Sequence, residues 1–303
     1  MKPRWIAVPL VLFAISTSCL GKNPAVEDLA SQLARYPDKG RKAIDPITTP
    51  GFLSLTFDDG PGPYTKGIVD VLARHRIQAT FFVVGRLIAG NRDVLEYARA
   101  NGQQVGSHSF NHEPQPSLSE GEFKQRVRAV KSNIGDNDNG RLLFRFPFGA
   151  AGDDQLRWLS EIDVDGRRYR PVGWHADSQD FDFDSEYPAQ QYSDRILEDD
   201  NVADEGKCGE QANPFQADFL GWTQFIARKT KGGVMLFHDT KRITADYIEV
   251  ILTGFESPES YWASLPQDKQ AEYGQYYACE KVDRLFRLEF QTLWGGAWPT
   301  LRD

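Results

Sequence analysis

From residue 51 onward, short apolar runs alternate with amphipathic segments along most of the chain. The apolar runs have the length of strands covered on both faces, and the segments between them have helical periodicity. The predicted strands are Leu53–Phe57, Ala79–Val84, Gln103–Ser107, Leu142–Phe146, Arg170–Trp174 and Gly233–Phe237. The predicted helices are Thr65–Arg76, Asp93–Asn101, a segment from the Ser119 capping box to Ile134, Asp153–Glu161, Pro214–Lys229 and Thr244–Thr253. This alternation predicts an α/β fold with parallel strands and helical crossovers.

The first 18 residues have the features of a secretory signal peptide. A positively charged start precedes an apolar core that is too short to span a bilayer, and small residues follow it. We therefore expect an exported protein, located in the periplasm or cell envelope or secreted. Cys19 comes next and is a candidate for lipidation, which would be the protein's one link to a membrane. Because Ser16 occupies the position where lipoproteins usually have a large aliphatic residue, ordinary cleavage is the alternative.

The rest of the chain divides by composition into three parts. Residues 19–50 are polar and rich in proline, which is typical of a linker or N-terminal arm, and residues 51–256 hold the strand–helix alternation. Residues 257–303 form an aromatic-rich extension that we expect to pack on this single domain. The composition, 40% hydrophobic and 26% charged, suits one large core in a monomer. The net charge of −8 argues against a nucleic-acid partner.

The chain has three cysteines, and export would allow them to form disulfides. Removing Cys19 from the count leaves Cys208 and Cys279, which could form a disulfide in an oxidising compartment. The alternative is a pair of free buried thiols.

Two adjacent carboxylates, Asp58 and Asp59, end the first apolar run before a Gly-Pro turn. Side by side, each raises the pKa of the other unless a cation shares the site. His108 and His112 have the i, i+4 spacing that places two imidazoles on one face of a helical turn. With Asp59 they would make a two-histidine, one-carboxylate site for a divalent metal, while Asp58 would accept a proton from a water that the metal activates. The alternatives are a turn-capping Asp58 and histidines without a ligand role.

Two later segments add groups at strand ends. Arg145 follows a predicted strand and could hold a carboxylate base through a bidentate pair. His238 ends another predicted strand, where an imidazole could protonate a leaving amine or alkoxide. Taken singly, Arg145 is better explained as an ordinary ion-pair residue and His238 as a structural histidine at a strand end, so the functional interpretation depends on the whole set.

Together these segments resemble the polysaccharide deacetylases of the NodB-homology type, carbohydrate esterase family 4. Five segments occur in the family's order, namely Thr56–Pro61, His108–His112, Arg145–Gly149, Trp174–Phe181 and Leu236–Asp239. Phe148 stands where tyrosine is common, and Phe181 replaces the usual tryptophan.

The resemblance implies a distorted (β/α) barrel with its site at the carboxyl ends of the strands, and it makes residues 51–256 a deacetylase domain. It implies that Asp58 is the base, that Asp59, His108 and His112 bind the metal, and that His238 is the acid. The remaining implied roles are bracing of Asp58 by Arg145, tuning of His238 by Asp180, oxyanion binding by the Phe148 N–H, a pocket for the acetyl methyl at Leu236, and groove walls at Trp174 and Phe181.

The activity that the resemblance implies is removal of N-acetyl groups from a polysaccharide or oligosaccharide. Peptidoglycan and chitin-type glycans containing N-acetylglucosamine are the expected substrates, and the ligand set suits Zn²⁺, with Co²⁺ or another divalent ion as alternatives. O-deacetylation of acetylxylan-like polymers, hydrolysis of small cyclic amides and a catalytically silent glycan-binding lipoprotein are the other readings of the sequence.

Overall fold

A computed structural model describes residues 39–42, 50–134, 142–183, 208, 213–215 and 217–293. The predicted signal peptide and Cys19 lie outside these residues. Within the described part of the chain, no helix has both the length and the apolar character needed to cross a membrane.

Among the described residues, nine strands make up the sheet. Their bounds are β1 Phe52–Asp58, β2 Thr80–Val83, β3 Gln104–Ser107, β4 Leu142–Phe144, β5 Asp163–Val164, β6 Arg167–Pro171, β7 Ala176–Asp177, β8 Gly233–His238 and β9 Glu289–Phe290.

Helices connect and cover these strands within the described residues. They are α1 Lys39–Lys42, α2 Thr65–Arg74, α3 Gly85–Ile88, α4 Arg92–Ala100, α5 Glu120–Ile134, α6 Asp153–Glu161, α7 Asp180–Phe183, α8 Phe219–Lys229, α9 Arg242–Glu256, α10 Pro258–Ser264 and α11 Gln267–Cys279, with 3-10 turns at Gln115–Ser117 and Pro147–Gly149. The predicted capping box is present at the start of α5, where the Ser119 N–H donates to Glu122 Oε2 at 3.0 Å.

The strand order is β5-β6-β4-β3-β2-β1-β8-β7, and every pair along it is parallel except the antiparallel pair β5 and β6. One continuous segment, residues 167–177, joins the two edges of the parallel sheet. Its first half is β6, which pairs with β4, and its second half is β7, which pairs with β8. Between them the Val172 N–H bonds Phe144 O and the His175 N–H bonds Val234 O. The sheet therefore closes on itself as an irregular, distorted (β/α) barrel, as the family resemblance implied.

The two faces of β1 have different neighbours, because side chains along a strand alternate in direction. Leu53, Leu55 and Phe57 are fully buried in the large apolar cluster shared with the surrounding helices. The alternating positions Thr56 and Asp58 are equally buried but polar. The strand thus brings a polar face into the barrel interior and ends there in a carboxylate.

One predicted strand was placed wrongly. The sequence predicted Arg170–Trp174, whereas β6 spans Arg167–Pro171 and pairs with β5 across a two-residue turn at Asp165 and Gly166. Both turn residues have positive φ, 53° and 75°, which is the geometry of a type I′ hairpin turn. The Asp-Gly dipeptide is the sequence signal that identifies this hairpin.

The C-terminal extension contributes to the core. Tyr273 and Tyr276 of α11 are buried, with ring centroids 4.5 and 5.7 Å from that of Phe215. Farther along, β9 pairs with the start of β1, where Glu289 lies opposite Phe52. Much of the aromatic content of the extension therefore supports the fold.

Cys208 and Cys279, the pair favoured by the sequence, form a disulfide in the structure. The bond joins residues 71 positions apart, so it restricts a long loop in the unfolded chain. Chain-entropy arguments give such a cross-link about 4 kcal/mol of stabilisation.

We expect the Cys208→Ser, Cys279→Ser variant to lose about this much free energy of unfolding in urea titrations. Reduced wild type is the control; equal midpoints for oxidised and reduced wild type would contradict the prediction.

Candidate metal and acid–base site

The predicted site residues meet at one edge of the barrel. Asp58 ends β1, His108 follows β3, Arg145 follows β4 and His238 ends β8. Parallel strands end at the same edge of a sheet, so these side chains converge although up to 180 positions separate them in sequence. The register pairs Asp58 directly with His238.

Arg145 is completely buried beneath Asp58. Its Nη1 donates to Asp58 Oδ1 at 3.0 Å and to Thr56 Oγ1 at 2.7 Å, and its other nitrogens donate to the carbonyls of Val172 and Gly173 at 3.0 and 2.8 Å. The expected bidentate pair is therefore corrected to a single contact, because the rest of the guanidinium is used by the barrel wall. Asp58 Oδ2 is left facing the site, 3.7 Å from the Nε2 atom of His108.

His108 and His112 do not lie on a helical turn, which corrects the structural basis given for their spacing. They belong to a loop in which Ser109 and His112 both have φ of 62°, and the His112 N–H donates to Ser109 Oγ at 3.0 Å. The tight loop still brings the two rings together, with centroids 5.0 Å apart. The pair was found by its spacing, although a different backbone conformation creates the contact.

Asp59 completes a cluster that could hold a metal. Its Oδ1 atom lies 3.0 Å from His112 Nε2 and 3.5 Å from His108 Nε2, and the three candidate ligand atoms lie within 4.8 Å of one another. The donor atoms of ligands bound to zinc at about 2.1 Å in a tetrahedral arrangement have separations similar to these atom-to-atom distances. Asp59 Oδ1 is buried and makes no hydrogen bond of good geometry although His112 Nε2 lies 3.0 Å away, and a bound cation would satisfy this oxygen. The residues therefore fit a divalent ion.

The protonation states also fit metal binding. Burial lowers the pKa of His108 to about 4, against the raising effect of nearby Asp58, so its ring is neutral near pH 7. The Nδ1–H donates to Arg145 O at 3.0 Å, which leaves the Nε2 lone pair for a ligand bond. Burial alone would raise the pKa of Asp59, but the adjacent imidazoles, His112 foremost, hold this pKa well below its usual range.

His238 lies beside Asp58 in the β1–β8 register and is held by Asp180. The Nδ1 atom of His238 lies 2.6 Å from Asp180 Oδ1, and its backbone N–H donates to Asp180 Oδ2 at 2.6 Å. Thr244 Oγ1 donates to the same Oδ2. Burial lowers the pKa of His238, yet the Asp180 carboxylate and, behind it, Asp59 and Asp58 outweigh burial and raise it to about 10. The ring is thus a proton donor at neutral pH.

Of the four residues with implied substrate or oxyanion roles, Phe148 and Phe181 contact the histidines of the site, and Trp174 and Leu236 belong to a buried apolar cluster. Phe148 has φ of 59°, and its ring meets that of His112 edge-on at 4.5 Å. Phe181 is 40% exposed and packs edge-on against His238 at 5.7 Å. Trp174 and Leu236 are buried, and Trp174 Nε1 donates to Asp177 Oδ2 at 3.1 Å. Their contacts with substrate stay predictions.

Sequence reasoning gave no role to two buried residues that support the loop after Asp59. Asp239 is fully buried, and its Oδ2 accepts a hydrogen bond from Thr65 Oγ1 at 2.6 Å. Thr65 Oγ1 in turn accepts the Gly62 N–H at 2.8 Å. Burial raises the pKa of Asp239 to about 7, and the charges of Asp59 and Asp58 add to the effect. The position of Asp239 next to His238 is the sequence signal that could have identified it.

Part of this chain is similar to known proteins. Residues 46–166 match the family model described as polysaccharide deacetylase. This span contains Asp58, Asp59, His108, His112 and Arg145, while Asp180 and His238 lie beyond it and join the site through the fold.

Curated relatives match a similar part of the chain. A peptidoglycan-N-acetylglucosamine deacetylase of Listeria monocytogenes is 32% identical over 131 residues, covering 40% of this chain and 28% of the relative. A chitooligosaccharide deacetylase of a Bradyrhizobium species is 44% identical over 132 residues, covering 42% of this chain and 57% of the relative. The chain thus spans less than two thirds of the length of these relatives.

Among solved structures, a family 4 carbohydrate esterase from Streptomyces lividans is 21% identical, with a TM-score of 0.46 over 68% of this chain and 88% of that one. Residues 46–166 therefore match the polysaccharide deacetylase family, and the metal-ligand candidates and the paired Asp58 and Arg145 all lie within this span.

Proposed function

We propose that this protein is a divalent-metal-dependent hydrolase that removes N-acetyl groups from an extracellular or envelope glycan containing N-acetylglucosamine. The observation that carries the proposal is the division of labour between two neighbouring carboxylates. Asp59 faces the Nε2 atoms of His108 and His112, whereas Asp58 is held by Arg145 and has its second oxygen directed into the site.

Asp59, His108 and His112 would hold the ion. Two imidazoles and one carboxylate are a donor set that suits zinc and also accepts cobalt or other divalent ions. When bound, such an ion lowers the pKa of a water molecule and polarises a carbonyl group.

Asp58 is placed to accept the proton of the attacking water. Arg145 fixes the carboxylate through Oδ1, and this single contact leaves Oδ2 free to take the proton. The buried guanidinium is itself fixed by Thr56, Val172 and Gly173, so the base has little freedom to turn away. A fixed base of this kind is what general base catalysis requires.

His238 is placed to donate the second proton. The water oxygen bonds to the acetyl carbon, the C–N bond breaks, and the proton on His238 Nε2 goes to the departing amine, giving acetate and a free amino sugar. Asp180 binds Nδ1 and so fixes which nitrogen carries the transferable proton. An oxyanion donor at the Phe148 N–H would lower the barrier by about 3 kcal/mol, and it needs no phenolic hydroxyl there.

Peptidoglycan is the first choice of substrate, and chitin-type oligosaccharides are the second. The predicted signal peptide favours a glycan of the envelope, and the Listeria and Bradyrhizobium relatives are named as deacetylases of peptidoglycan and of chitooligosaccharide. The same catalytic groups would serve for an O-acetyl ester, so acetylated xylan belongs in the test.

Acetate release from defined peptidoglycan and chitin fragments tests the proposal. We expect release by the purified protein to fall to background after dialysis against a chelator and to return when Zn²⁺ or Co²⁺ is added. The physical reason is that without the ion neither the water nor the carbonyl is activated. The Asp59→Ala variant, which lacks one ligand, is the matched control and should stay inactive after metal is added.

The outcomes distinguish the alternatives. Release from acetylxylan alone would replace the N-deacetylase assignment with an ester hydrolase. Glycan binding without metal-dependent release from any substrate would indicate a silent binding protein. Full activity in the presence of chelator would contradict the metal site.

A further inference from the structure

Four described residues of the predicted N-terminal arm contact segments next to the site. Residues 39–42, the one-turn helix α1, lie before the span that the family model matches and are called the N-terminal clip below. The Lys39 N–H donates to Ala151 O at 3.1 Å, and Arg41 O accepts the Trp174 N–H at 3.3 Å. The clip thus bonds to two segments that are separate in sequence. One follows Phe148 and the other contains Trp174, and the family resemblance implies that both of these residues act on the substrate.

The contact is close-packed on both sides. A Cβ at Gly40 would lie 2.8 Å from Gly149 O and 2.8 Å from the Cβ of Phe146, and Gly40 is buried. A Cβ at Gly173 would lie 1.8 Å from Arg41 O. The clip therefore packs on Gly149 O and the Phe146 side chain at Gly40, and its own Arg41 O packs on Gly173, so neither glycine has room for a side chain.

The Arg41 side chain adds a contact with an aromatic residue of the site. Its guanidinium lies 5.4 Å from the centre of the Trp174 ring, and the guanidinium of Arg145 lies 5.6 Å from the same ring. Cation–π contacts of this kind are favourable within about 6 Å. Trp174 is therefore held by Arg41 as well as by the barrel.

The clip packs against two segments that bear on the proposed catalytic groups. Gly40 packs on the turn Pro147–Gly149, which carries the Phe148 N–H. Arg41 packs on Gly173, whose carbonyl accepts a hydrogen bond from Arg145, the residue that fixes Asp58.

We propose that the N-terminal clip is a positioning element that holds the Pro147–Gly149 turn and the Gly173–Trp174 segment in their working arrangement. The kinetic part of this inference rests on the proposed function. Small displacements of groups that act on the transition state can lower turnover by up to about 10²-fold. The clip should therefore affect kcat more than metal binding, because Asp59, His108 and His112 make no contact with it among the interactions described.

The test compares Gly40→Ala with Gly121→Ala in the full-length protein. Both change a helical glycine to alanine, but a Cβ at Gly121 meets open space. For Gly40→Ala we expect about tenfold or greater loss of kcat on the glycan fragments, unchanged KM within about twofold, and unchanged bound metal. For Gly121→Ala we expect wild-type values.

Hydrogen exchange supplies a readout that needs no substrate. In wild type the Trp174 amide bonds Arg41 O, and the Gly149 and Ala150 amides bond within the turn. Gly40→Ala should speed exchange in peptides covering 147–151 and 172–175 relative to Gly121→Ala. Arg41→Ala is the second variant if Gly40→Ala does not fold, with the same expected direction.

These measurements separate the two proposals. Exchange equal to wild type in both clip variants would overturn the positioning role, whatever the activity. Faster exchange with unchanged kcat would overturn its link to turnover. Absence of acetate release by wild type would refute the proposed function and leave exchange to decide whether the clip holds the turn.

Discussion

Asp58→Asn is expected to lower kcat for acetate release by about 10²- to 10⁴-fold while the divalent ion stays bound, because an amide cannot take the proton that the carboxylate takes. The Arg145 bond to Oδ1 can be kept by the amide oxygen, so the side chain should remain in place. The ligand atoms of Asp59, His108 and His112 are unchanged. Acetate release and metal content, measured on the same preparation, check both halves of the prediction.

The variant should also be less stable. Arg145 is fully buried, and Asp58 is its carboxylate partner. Loss of that negative charge leaves a buried cation uncompensated, a change that typically costs about 3–5 kcal/mol when one partner is removed and less when its hydrogen bond survives. Thermal unfolding measures this effect, and assays well below the transition remove it from the comparison of rates.

Thr56→Val is the matched control. It removes another acceptor of Arg145 Nη1 and also the hydroxyl that donates to Met235 O, but it leaves the carboxylate. We expect Thr56→Val to lose stability by about 1–3 kcal/mol and to keep much more turnover than Asp58→Asn. Retained turnover in Asp58→Asn would contradict its assignment as the base, and loss of metal from this variant would assign Asp58 to the ligand set instead.

The sequence predicted an α/β fold with parallel strands because the strand and helix patterns are strong, while the barrel was implied by the family resemblance. Apolar runs such as β1 and β8 are covered on both faces, and such runs have few other stable arrangements. The convergence of Asp59, His108 and His112 could also be predicted, because all three follow parallel strands and their residue types bind metals. These predictions depend on periodicity and on residue chemistry, both of which are local properties of the sequence.

The details that could not be predicted depend on backbone conformation and on distant contacts. Asp59, His112 and Phe148 all have positive φ, which costs energy for residues other than glycine and tends to occur at functional sites. Residue patterns carry little sign of such strain, so His108 and His112 were assigned to a helical turn. The single bond between Arg145 and Asp58 could not be predicted either, since it depends on Val172 and Gly173 taking the other donors.

The clip shows the same limit for a segment that looks like a linker. Residues 19–50 have the composition of a linker or N-terminal arm, and the structure shows that Gly40 and Arg41 of this segment pack against the site. Their sequence signal is weak, because glycine is common in linkers. The contact between Arg41 and the barrel is seen at Gly173, which has no room for a side chain.

Asp180→Asn is expected to lower kcat by about 10²- to 10⁴-fold and to move the alkaline limb of the pH–rate profile to lower pH. Asp180 contributes most to raising the pKa of His238 to about 10, against the lowering effect of burial. The acid must be protonated to act, so activity falls as pH rises through this pKa. Without the carboxylate the pKa falls, and the proton is lost at a lower pH. A bound divalent ion also lowers this pKa in both proteins, because it offsets the charge of Asp59.

The difference in stability between wild type and Asp180→Asn should also depend on pH. The pKa of His238 is raised above its ordinary 6.5, so its pairing with Asp180 stabilises the fold fully below about pH 6.5 and ceases to do so as pH rises through about 10. The difference in unfolding free energy between wild type and Asp180→Asn should therefore be largest on the acid side of this window and shrink toward pH 10. Thr244→Val, which removes one donor to Asp180 but keeps the carboxylate, is the control and should shift the limb much less. An alkaline limb that stays in place in Asp180→Asn would mean that a group other than His238 delivers the proton.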